Sequence, residues 1–210
     1  MASTTTDTET ELSAVNAILG AIGQSPITNL EDGRANPEVG FIYNLLRDSN
    51  VDVQNEGWHF NTEKHVQFKP DSSTNKIEID DNILKMDVTD GWSHRQYDVV
   101  KRNGNLYDKF DHTDDWSDLT DDGIYLDLVR LFTYTDLPSV FKRYVIYKAA
   151  TRAATQLVGN PQLTQLLAQQ ELLARSAVME YECNQGNHTM LGLPEDSVYH
   201  SYKPYRSLRR

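Results

Sequence analysis

The stretch DLPSVFKRYVIYKAATRAATQLVG (Asp136 to Gly159), followed directly by NPQLTQLLAQQELLARSAVMEYE (Asn160 to Glu182), decides the fold. In the first half Val140, Phe141, Tyr144, Val145, Lys148 and Ala149 recur at helical spacing. That spacing predicts a helix capped at Asp136 and ended at Gly159. In the second half Asn160–Pro161 supplies a cap and a proline at the first helical position. An Ala-, Gln- and Leu-rich helix follows, with Leu163, Leu166, Leu167, Leu173, Ala174, Ala177, Val178 and Tyr181 on its apolar face. The immediate Gly159–Asn160–Pro161 connection makes the two helices antiparallel neighbours.

Working outward, helical spacing also marks the start of the chain. Leu12, Val15, Ile18, Leu19 and Ile22 share one face, with Thr8 or Thr10 as cap and Gly23 then Pro26 as stop. Asn36–Pro37 opens a further helix through Val39, Ile42, Leu45, Leu46 and Val53 to Gly57. Between the two helical halves the period falls from 3.6 to 2. Ile77 and Ile79 alternate with Glu78 and Asp80, Leu84, Met86 and Val88 with Lys85 and Asp87, and Ile124, Leu126 and Leu128 with Tyr125 and Asp127. Such alternation suits antiparallel strands with one wet face. Asn103–Gly104, between Tyr97–Arg102 and Asn105–Phe110, suits the two positive-φ positions of a type I′ turn. The expected class is α+β: a bundle of about four α-helices (residues 11–58 with 136–185), an inserted antiparallel β region (59–135) and an extended C-terminal tail. Residues 1–10 read as a disordered N-terminus and 186–210 as an extended basic arm.

Composition bounds the function. Among 210 residues, 20 Lys and Arg face 31 Asp and Glu, a net charge of −11, which argues against gripping nucleic acid as the main task. Cys183 is the only cysteine, so an intrachain disulfide and multi-cysteine zinc or iron–sulfur sites are excluded. No apolar run approaches the ~18–20 residues that span a bilayer, and MASTTTDTETELSAV lacks the pattern of a signal peptide. The expectation is a soluble acidic protein made in the cytoplasm. The last fourteen residues depart from it, with Lys203, Arg206, Arg209 and Arg210 and no acid. With Tyr199, Tyr202 and Tyr205 as low-entropy aromatic anchors, they read either as a solvated terminus or as a docking arm.

Chemical motifs are weak. Seven aspartates and one lysine lie between Asp108 and Asp122. A calcium loop starting at Asp118, with Thr120, Asp122 and Gly123 in register, puts Val129 where a bidentate glutamate is required. The six histidines form no H-E-x-x-H. Gly20-x-x-Gly23 lacks the Gly-Lys-Ser/Thr of a phosphate loop and reads as close helix packing and a C-cap. There is no G-x-S-x-G elbow, and Cys183 reads as a small buried or neutral helix position. No catalytic, cofactor or metal residue is assigned. The competing enzymatic reading is a carbohydrate-active hydrolase of host surface polysaccharide using the Asp108–Asp122 carboxylates; DNA-end binding by the basic tail is a third.

Taken in order along the chain, several segments resemble tail tubular protein A, the head-to-tail adaptor family of short-tailed phages. They are ELSAVNAILGAIGQSPITNLE (Glu11 to Glu31), NEGWHFNTE (Asn55 to Glu63), NGNLYD (Asn103 to Asp108), the Asp136–Gly159 helix, QQELLARSAVMEYE (Gln169 to Glu182) and NHTML (Asn187 to Leu191). The acidic loop around Trp116 and the tail after Leu193 depart from the family pattern. The resemblance implies a virion protein without catalysis or cofactor. It implies a homododecameric ring between portal protein and tail nozzle (tail tubular protein B), whose channel passes genomic DNA without sequence-specific binding and whose rim helps seat tail fibres. It places the chain at the head–tail junction, in the host cytoplasm during assembly, with no membrane insertion. Within that picture Tyr199, Tyr202, Lys203, Tyr205, Arg206, Arg209 and Arg210 are expected to form a portal-docking arm. Asp111, Asp114, Asp115, Trp116 and Asp118 are expected to form a nozzle- or fibre-facing loop.

Overall fold

Thr10 starts the first helix as its spacing predicts. It sits in extended backbone and its hydroxyl oxygen accepts the Ser13 N–H at 3.3 Å, which satisfies one of the free donors of α1 (Glu11–Ala21). The computed structural model describes residues 9–33, 36–89, 97–119 and 123–185. They fall into two compact units, a helical one (9–56 with Leu131–Glu182) and a β unit (Gly57–Arg130).

In the helical unit α1 buries Ala14, Val15, Ile18 and Leu19. It stops at Gly23, whose φ of +81° a side chain would oppose. Gly20 is exposed, with open space where a Cβ would stand, so it does not serve close helix packing; Gly23 alone does the structural work of that pair. A single turn, α2 (Leu30–Gly33), precedes α3 (Pro37–Gln54), which Asn36 caps by accepting the Glu38 N–H at 3.1 Å. Val39, Ile42, Leu45, Leu46 and Val53 of α3 are buried, each contributing about 1.5–3 kcal/mol.

The next helix, α4 (Ser139–Ala153), begins two residues later than a cap at Asp136 would place it. Leu137 precedes Pro138, and the proline ring pushes it into extended backbone (φ −72°, ψ 148°) that a helix cannot use. Asp136 instead closes a 3₁₀ turn (Tyr134–Asp136), accepting the Thr133 hydroxyl at 2.7 Å. The far end of α4 widens into a π-helical stretch, Ala154–Val158. There Thr151 and Thr155 turn their hydroxyls back onto the carbonyls of Tyr147 and Thr151, a contact that bends helices. Gly159 (φ +64°) ends it, and Asn160 caps α5 (Pro161–Gln185) by accepting the Gln162 N–H at 3.0 Å. Phe141 near the start of α4 meets Tyr181 near the end of α5 edge-on at 6.0 Å, so the two helices run antiparallel.

The β unit holds a three-stranded antiparallel sheet in the order β1 (Thr62–Phe68), β5 (Ile124–Arg130), β2 (Ile83–Val88), and a hairpin of β3 (Val99–Arg102) and β4 (Asn105–Asp108). Asn103 (φ +53°) and Gly104 (φ +80°) occupy the turn as their dipeptide predicts. Ile77, Ile79, Leu106, Trp116, Ile124, Leu126 and Leu128 share one core. The Ile77–Ile79 segment buries both isoleucines but forms only a one-residue bridge, Glu78 to Asn105, rather than a strand. β1 lacks clean alternation because it bulges between Glu63 and Val66. His65 takes φ +60° there and stacks on Tyr125 at 4.2 Å. Gly123 has no substitute: a Cβ would lie 2.2 Å from the Phe68 carbonyl oxygen.

Candidate assembly surfaces

The apolar face of α5 is only partly covered. Leu167 and Val178 are buried, and Leu163, Ala174 and Tyr181 are half-buried. Leu166 and Leu173, expected on the covered face, are 60% and 64% exposed, and Ala177 is exposed too. At about 100° per residue, Leu166 and Leu173 turn roughly 100–120° away from Leu167 on one flank. Leu172 (65% exposed) and Met179 (46%) turn away on the other. Among the described residues, the helix therefore carries more apolar surface than the rest of its unit covers.

The first flank overlooks a groove of about 680 Å³ within the helical unit. Ala17 and Ala21 of α1 form one wall, Leu173 and Ala177 of α5 the other, and Arg143 and Tyr147 of α4 contribute to its lining. α5 is held in place by Phe141–Tyr181 and by Arg175, which donates to Glu56 at 3.2 Å. A second cleft of about 610 Å³ lies between α1, α3 and the Leu131–Tyr134 segment. The Tyr134 hydroxyl is buried without a hydrogen-bond partner among the described residues. Burial, then the charges of Glu9 and Glu11, push its pKa up. Lys142 is also buried, with Glu9 3.8 Å away.

In the β unit the acidic loop divides by burial. Trp116 is 4% exposed; its indole N–H donates to the Leu106 carbonyl at 3.0 Å, and its ring meets Tyr97 edge-on. It therefore anchors the loop from inside. Asp108 is buried and accepts the N–H groups of Asp98 and Phe110. Asp111, Asp115 and Asp118 are exposed and border a 380 Å³ hollow with Trp116. Asp114 pairs with Lys76 at 2.6 Å, and that hydrogen bond holds its carboxyl below the usual range. Lys101 does the same to Asp81, and the Ser73 hydroxyl and N–H lower Asp71 to about 2. Each of these shifts favours the charged form, the opposite of what a carboxylic general acid requires. Of the calcium register, Asp118 and Gly123 are described and Val129 sits in β5, while Thr120 and Asp122 lie outside the described residues.

Among the described residues, no three metal-binding side chains converge, and no helix is long and apolar enough to cross a membrane. Cys183 is exposed near the end of α5 rather than buried. Tyr199, Tyr202, Lys203, Tyr205, Arg206, Arg209 and Arg210 lie outside the described residues, as do His188, His200 and residues 1–8. Which residues of α5 stand exposed is not legible in sequence, since periodicity marks an apolar face without saying what covers it.

A family model described as tail tubular protein matches residues 12–188, through both units. No curated protein matches the chain.

Proposed function

This chain belongs to the tail tubular protein family, a structural component of the phage tail, and from that membership we propose that it forms the adaptor ring joining portal to nozzle. The observation that carries the reading is α5, whose Leu166, Leu172, Leu173 and Met179 are left exposed by the described residues. Head-to-tail contacts between copies cover such faces and close into a ring when the subunit rotation divides the circle; twelve copies are proposed. The role is one of shape, without catalysis.

DNA must slide through the channel. A net charge of −11 favours this, because each phosphate neutralised by the wall would add salt-sensitive adhesion. The inserted β unit, with its exposed Asp111, Asp115 and Asp118, is proposed as the platform for nozzle and fibres. The basic C-terminal segment, from Tyr199 to Arg210, is proposed to dock on portal protein. The ring would assemble in the host cytoplasm and reside at the head–tail junction of the virion.

Mass photometry of the purified chain with and without portal rings tests the reading. A monomer or loose oligomer should become a twelve-membered ring on portal. A fixed dimer indifferent to portal would overturn it. Removing Tyr199 to Arg210 should abolish docking with unchanged circular dichroism, and retained docking would refute the arm.

A further inference from the structure

We propose that the outward side of α5 in one copy seats in the α1–α4–α5 groove of the next, inserting Leu172 and Met179 and bringing Glu180 to Arg143. This rests on the assembly of copies argued above and names the two surfaces that meet.

The groove and its occupant differ in shape. Small side chains, Ala17, Ala21, Ala174 and Ala177, line much of the groove beside the larger Leu173, and leave room for a helix to approach. Leu172, Met179 and Glu180 lie on the half of α5 turned away from Leu167 and Val178 and are all exposed. Leu172 and Met179 stand on the flank away from the groove, and Glu180 at its edge, about 20° round the helix from Leu173. One surface is concave and alanine-lined, the other a ridge of long side chains.

Charge fixes the register. Arg143 lines the groove, is exposed, and makes no ion pair among the described residues. Glu180 on the outward side of α5 is likewise exposed and without an ion pair among them. Opposite charges set against apolar anchors are the usual means of fixing register at an interface. Because the groove and the ridge are different surfaces of the same chain, each copy gives one and receives one. The contact is heterologous and repeats rather than ending at a dimer.

Charge exchange tests the pairing on the full chain, read by sedimentation velocity alone and with purified portal rings. Arg143→Glu and Glu180→Arg should each weaken self-association at least tenfold, and the double variant should recover most of the loss. Leu172→Asp should also weaken it tenfold. Both charged sites are exposed, and circular dichroism checks that each variant is folded. If wild type assembles and folded single variants assemble equally well, or the double variant fails to recover, this interface is wrong while the adaptor reading stands. If wild type self-associates neither alone nor on portal, both fall.

Discussion

Gln54 and Phe132 close a two-point hydrogen-bonded ring. The Gln54 Oε1 accepts the Phe132 N–H and its Nε2 donates to the Phe132 carbonyl, both at 2.8 Å. The side chain is fully buried, and its amide stands in for a strand at a place where the backbone has none. Gln54→Leu keeps most of the volume but takes the Gln54 acceptor from the Phe132 N–H and leaves the carbonyl the longer bond from the Asn50 amide at 3.3 Å. The expected loss is about 2–4 kcal/mol in urea unfolding. A loss below about 1 kcal/mol would show that water replaces the amide.

Trp116 should behave as core and its neighbours as surface. Trp116→Ala removes a large buried ring and orphans the Leu106 carbonyl, with an expected cost of about 3–5 kcal/mol. Asp118→Asn, on the exposed side of the same loop, should change stability by no more than about 0.5 kcal/mol. Equal effects in thermal melts would contradict the division.

Tyr134→Phe should raise stability, by about 1 kcal/mol, because it removes a buried hydroxyl that has no partner among the described residues. The comparison is a chemical unfolding curve beside wild type. A destabilised variant would show that the hydroxyl is bonded in solution.

Asp71 should titrate near pH 2, followed by the carboxyl carbon in NMR. Its folded pKa is about 2 against an ordinary 3.8. Depression of an acid means that its contribution to stability is fully present above 3.8 and is lost as pH falls through about 2. Ser73→Ala and Thr74→Ala should move the midpoint back toward 3.8. A wild-type midpoint already there would remove the turn as its cause.

The elements legible in sequence were those whose cause is local. Thr10, Asn36 and Asn160 each cap the backbone two or three residues ahead, and Asn103–Gly104 needs only its own positive φ values. The start of α4 differs from its expected place because Asp136 resembles a cap while Pro138, whose ring governs Leu137, sets the boundary. Ile77 and Ile79 announce their burial, but not that a single bridge would join them to β4. The burial of Trp116 is hidden by the charges beside it in sequence, because its partner, Leu106, is ten residues away. Which flanks of α5 stay exposed is hidden for a related reason: leucines reveal a preference for burial, and whether α1 and α4 satisfy it depends on their shape.

The helical unit is divided in sequence, since α1 and α3 leave the ribosome well before α4 and α5. Until the later pair emerges, Ile18, Ile42 and Leu46 have no complete core to enter. The intervening residues, Gly57–Arg130, are made in one piece. Once they fold, Asn61 holds the carbonyl of Arg130 at 3.0 Å, bringing the exit and return points of the excursion together. A β unit closed before the helices pack would spare them a loop entropy on the order of 4 kcal/mol. The β unit thus shortens, by one internal hydrogen bond, the loop that separates the two halves of the helical core in the chain.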